Sequence, residues 1–120
     1  MVGIRGATTI KKDSEEEIIR GTFVLLEKII SLNSLRSDKI TAIFFSCTKD
    51  ITAAYPAKAA RDMDLTDIPL LCFQDMYVEG SIEKCIRLCV FYDGKIDKKH
   101  IKHVFLNDAK QLRPDLVNGI

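Results

Sequence analysis

The chain contains no apolar run approaching about 18 uninterrupted residues, so no stretch of it is expected to span a membrane. Its opening residues, MVGIRGATT, lack a basic region followed by an apolar run, so no signal peptide is expected. Neither charge is in excess. Eighteen basic and seventeen acidic residues leave a formal net charge of +1, which removes any global pull toward nucleic acid or anionic lipid. The four cysteines, Cys47, Cys72, Cys85 and Cys89, form no CxxC pair. Each sits in an apolar stretch, so they read as reduced, buried thiols of a cytoplasmic protein. P-loop, dinucleotide fingerprint and nucleophile elbow are all missing. His100 and His103 stand without carboxylates or cysteines at metal-ligand spacing, so no metal or cofactor is expected.

What is present suits one domain. The chain has 120 residues, of which 47% are hydrophobic, enough for a real core. We expect a single domain over residues 1–116 and a disordered tail over 117–120. Strands are expected at 2–8, 40–47, 70–73, 84–92 and 103–106. Asp13 or Ser14 caps a helix reaching about Leu32, with Glu16 and Glu17 in capping-box positions and Ile18, Ile19, Phe23, Leu25, Leu26, Ile29 and Ile30 at helical spacing. Pro56 starts a shorter helix over 57–63. A basic helical segment is expected over 97–102 and a helical turn over 107–112, stopped by Pro114. Strands and helices alternate loosely, with a hairpin expected through 73–84, so the class is α+β.

The stretch 69–92, PLLCFQDMYVEGSIEKCIRLCVFY, is the centre of the reading. Alternation puts Cys85, Arg87, Cys89 and Phe91 on one face of the last strand and Ile86, Leu88, Val90 and Tyr92 on the other. Arg87 is a permanent cation in an apolar strand and needs an anion, either Asp75 or a bound substrate. Arg5, bracketed by Gly3 and Gly6, is either a solvent-facing strand residue or a ligand contact. Lys58 and Arg61 share a helix face that is either solvated or an anion site. Such a set of arginines suits a small carboxylate-bearing molecule, because the guanidinium fork is bidentate and stays charged.

IRGATT, YPAKAAR at 55–61, CFQDM followed by KCIR, and the C-terminal HVFLNDAKQLRPDL together resemble the AroH class of monofunctional chorismate mutases. The resemblance runs in register from Gly3 to Leu116. It implies a mixed β-sheet with helices outside, assembled as a trimeric pseudo-barrel, with active sites in clefts between neighbouring subunits. The implied reaction is the rearrangement of chorismate to prephenate, a shikimate-pathway step toward phenylalanine and tyrosine, needing no cofactor. No nucleic-acid or membrane partner is implied.

The resemblance also implies roles. Arg87 matches the arginine that meets charge growing on the breaking ether oxygen, and Arg5 the arginine that binds a substrate carboxylate. Asp75 stands where the family usually has glutamate, whose carboxylate accepts from the substrate hydroxyl. Leu71, Cys72, Phe73 and Gln74 fall on the pocket-lining run, with Leu71 in place of a polar residue. Phe105 stands where the family usually has tyrosine. Tyr55, Lys58 and Arg61 match a wall contributed across the interface. Two other readings remain open here: an enamine/imine deaminase of the YjgF type, which shares a similar architecture, and a non-catalytic trimer that binds an aromatic-pathway metabolite.

Overall fold

The computed structural model describes residues 1–116; the tail expected over 117–120 lies outside the described residues. Five strands form one sheet: β1 (Val2–Thr9), β2 (Ile40–Cys47), β3 (Leu70–Gln74), β4 (Cys85–Tyr92) and β5 (Val104–Phe105), in the order β3-β2-β4-β1-β5. β4 runs antiparallel to both neighbours, while β3 is parallel to β2 and β5 is parallel to β1. The hairpin expected through 73–84 does not form. β2 lies between β3 and β4, so this segment is a crossing connection. A period-2 pattern marks strands but not which strand each one pairs with. β2, the most β-branched and aromatic of the three, takes the inner place.

Two helices cover one sheet face: α1 (Glu15–Leu32), which packs on β1 and β5, and α2 (Ala57–Asp62), which packs against α1 and β3. Ser14 caps α1 by accepting from the Glu17 amide at 3.2 Å. The capping box is not closed in its usual form. The Glu17 carboxylate accepts instead from the Lys11 and Lys12 amides at 3.1 and 3.2 Å, which bends the incoming chain onto the helix. Ile18, Leu25, Leu26 and Ile29 are fully buried; Phe23, expected on the apolar stripe, is exposed. Thr22 takes the buried place and satisfies its hydroxyl by donating to the Ile18 carbonyl at 2.7 Å. Gly6 makes this packing possible: a Cβ there would lie 2.5 Å from Ile29 Cδ1 and 3.0 Å from Leu25 Cδ1.

The core lies between helices and sheet, with Ile4, Ile43, Phe45 and Val90 fully buried. Among the described residues the opposite face carries no α-helix. Register places Gly3, Arg5 and Ala7 of β1 beside Phe91, Cys89 and Arg87 of β4. These in turn lie beside Ala42, Phe44 and Ser46 of β2, and beyond them Leu71 and Phe73 of β3. A bulge between Ile40 and Ala42 lets Ile40 face the helices while Ala42 and Phe44 face away. Among the described residues, only one end of this open face is covered. There Ala7, Cys85, Phe105 and Ala109 form a small cluster under the 3₁₀ turn Asn107–Gln111.

Candidate active site

Arg87 stands on the open face with Ala7 on one side and Ser46 on the other, so small neighbours leave room for its guanidinium. Its Nε lies 2.9 Å from Asp75 Oδ2, with the two side chains 33% and 10% exposed. The N–H does not point along this contact, and neither atom has a hydrogen-bond partner of good geometry. The pair is therefore held by charge rather than by a directed bond, and Asp75 faces only one of the five donors a guanidinium carries. The other Asp75 oxygen, Oδ1, accepts from the Ser46 hydroxyl, and the Asp75 amide donates to the Cys47 carbonyl at 2.8 Å. Asp75 is thus tied to the end of β2 by both backbone and side chain. The sequence offered Asp75 or a substrate as the anion for Arg87; the chain itself supplies Asp75.

Two adjoining clefts flank this pair. The larger, about 540 Å³, falls within the range of about 300–1,000 Å³ usual for small-molecule sites. Tyr55, Lys58, Arg61, Cys72, Phe73 and Gln74 all line it. Six of the expected residues, from a loop, a helix and a strand, therefore meet in one place. Lys58 pairs with Asp62 at 3.4 Å, while Arg61 makes no ion pair among the described residues. The smaller cleft, about 310 Å³, contains Asp75 and Arg87 with Lys49, Tyr77 and the 80–83 turn. Lys49 Nζ sits 3.6 Å over the Tyr77 ring. Thr48 lines both clefts.

Arg5 and Phe105 line neither cleft. The Arg5 guanidinium lies 5.8 Å from the centre of the Phe105 ring, and Phe105 is only 2% exposed. In this arrangement Phe105 supports Arg5 from beneath, and a buried phenylalanine leaves no hydroxyl to satisfy. The Arg5 amide donates to His103 Nδ1 at 2.9 Å. Burial and the charges of Arg5 and Arg113 push His103 below its ordinary value, which keeps Nδ1 free to accept. Leu71 is half exposed on the open face and lines neither cleft.

Two anchoring groups had no clear signal in the sequence. Asp13, read as a possible helix cap, accepts instead from the Thr52 amide and hydroxyl and from the Ala53 amide. These bonds, led by that from the Thr52 hydroxyl, hold its carboxyl below the usual range and fix the loop that rims the larger cleft. Ser46 lies inside an apolar strand, where alternation with Phe44 is the signal that places it on the open face. The buried thiols of Cys47 and Cys85 are not poised as nucleophiles. Burial pushes Cys47 to about 12 and Cys85 to about 11.

A family model described as Chorismate mutase type I matches residues 1–116. The chain belongs to the chorismate mutase type I family. It is 42% identical over 115 residues to the chorismate mutase AroH of Bacillus subtilis (strain 168), covering 95% of this chain and 91% of that protein. It is 37% identical over 115 residues to the chorismate mutase AroH of Thermus thermophilus, covering 95% and 94%. A solved chorismate mutase from Clostridium thermocellum superposes with a TM-score of 0.91 at 45% identity, covering 92% of this chain and 99% of that one. The deaminase and non-catalytic readings find no support among these chorismate mutase relatives.

Proposed function

We propose that the chain is an isomerase that converts chorismate to prephenate by an intramolecular [3,3] rearrangement, with Arg87 as its principal catalytic group. The observation that carries this reading is the placing of Arg87 in a family member. Arg87 is fixed on the open sheet face as the ion-pair partner of Asp75, lining one cleft and adjoining a second that is rimmed by Lys58 and Arg61. The task is to hold a flexible dicarboxylate in a chair-like geometry and to meet charge where it grows. As the ether bond breaks, negative charge develops on its oxygen. A fixed guanidinium stabilises that oxygen more in the transition state than in the ground state. Arg5 holds a carboxylate. Asp75, a methylene shorter than the usual glutamate, reaches the substrate hydroxyl directly or through one water. Tyr55, Lys58, Arg61, Leu71, Cys72, Phe73 and Gln74 bind the substrate, and Phe105 backs Arg5. The mechanism calls on no cofactor.

The same reading makes the working form a cytoplasmic homotrimer of one-domain chains, with no nucleic-acid or membrane partner. Arg5, Arg87 and Arg61 are not gathered into one pocket by a single chain, and the helix-free face leaves Phe44, Leu71 and Phe73 exposed at 37%, 51% and 51%. A second copy seated there would bury these side chains and bring the separated groups together. The direct test follows loss of chorismate absorbance with purified protein and identifies the product. Stoichiometric prephenate is expected; binding of chorismate without turnover would overturn the reading.

A further inference from the structure

We infer that Ser46 is a positioning residue of this active site, acting through Asp75 on Arg87. The inference rests on the chorismate mutase reading and deepens it. Ser46 lies directly across from Arg87 in the β2–β4 ladder, so both side chains emerge on the same open face. An ionised carboxylate only accepts hydrogen bonds, so the Ser46 hydroxyl is the donor to Asp75 Oδ1. Asp75 Oδ2 then faces Arg87 Nε at 2.9 Å. The carboxylate is gripped at both ends, by β2 and by β4.

Geometry gives this grip a purpose. Asp75 is the first residue beyond β3, and a segment with no regular structure follows it to β4. Its amide is fixed by the Cys47 carbonyl, but that bond leaves the side chain free to turn. Arg87 Nε does not aim a hydrogen bond at the carboxylate, so charge alone holds the pair and charge alone is not directional. The Ser46 bond is the directed contact that sets the rotation of the carboxylate. Through it the negative charge that faces Arg87 is held in one place. A short Asp side chain reaches the hydroxyl of a residue on the neighbouring strand, so the substitution for the family's usual glutamate and the role of Ser46 belong together.

The test uses the intact protein and three variants: Ser46→Ala, Ser46→Thr and Asp75→Ala, with Ser46→Ala also built on Asp75→Ala. Loss of one hydrogen bond to a charged group should lower kcat for chorismate roughly ten-fold in Ser46→Ala, with little change in KM and in melting temperature. Ser46→Thr keeps the donor on a strand-compatible side chain and should recover most of the rate. In the Asp75→Ala background the serine change should cost nothing further, because its partner is gone. Wild-type turnover in Ser46→Ala, or equal loss with and without Asp75, would overturn the inference while leaving the chorismate mutase reading intact. Failure of Ser46→Thr to recover rate, with its fold and assembly unchanged, would also overturn it. Absence of prephenate formation by the wild-type protein would overturn both.

Discussion

Arg5 and Arg87 lie diagonally across β1 and β4 on the open face, yet among the described residues only Arg87 forms an ion pair. Arg5 has a phenylalanine ring instead. Two cations on one face, with Asp75 paired to one of them, form a field that favours an anionic ligand. Their roles should separate in kinetics. A carboxylate is charged in both ground and transition states, so Arg5→Ala is expected to raise KM at least as much as it lowers kcat. Steady-state measurement over a range of chorismate concentrations reads this, and a pure kcat loss would contradict it. At this scale the sequence was most informative where a residue broke a pattern. Arg87 interrupts an apolar strand and is met by Asp75; Arg5 sits between glycines and lies against the Phe105 ring. Ser46, Asp13 and His103 break no pattern. Their importance comes from partners 29, 39 and 98 positions away, which periodicity does not reveal.

At the scale of elements, α1 was legible because its signals agree: a cap, acidic residues in the first turn and an apolar stripe. Ser14 is the cap in fact, through its bond to the Glu17 amide. Ser14→Ala is expected to destabilise the protein by about 1 kcal/mol, and Ser14→Asp to leave it nearly unchanged. Denaturant unfolding checks this as a shift of midpoint at constant slope; no shift for alanine would show that the Glu17 contacts with Lys11 and Lys12 carry the helix start alone. Strand positions were equally legible, but strand order was not. The hairpin expected through 73–84 does not form because β3 and β4, neighbours in sequence, are separated in the sheet by β2. The parallel pairing of β2 with β3 is made through α2, and its reward is the cleft beneath that connection, where Tyr55, Lys58 and Arg61 meet Cys72, Phe73 and Gln74.

At the scale of the whole molecule, the sheet has one face under helices and one face without them. Alternation along β4 predicts two faces but does not say that, among the described residues, the second is covered at one end only. The assembly proposed to cover it is expected to sediment as a trimer, and to remain one at micromolar concentration. A stable, active monomer would contradict the arrangement. The role proposed for Arg87 is to meet charge growing on the ether oxygen of chorismate, and its most direct measurement is kcat for Arg87→Ala, taken beside its melting temperature and sedimentation. Removing a preorganised donor of this kind costs roughly 10²–10³ in kcat, and a loss of at least that size is predicted in a protein that stays folded and assembled. A folded, assembled Arg87→Ala protein with near-normal turnover would contradict it.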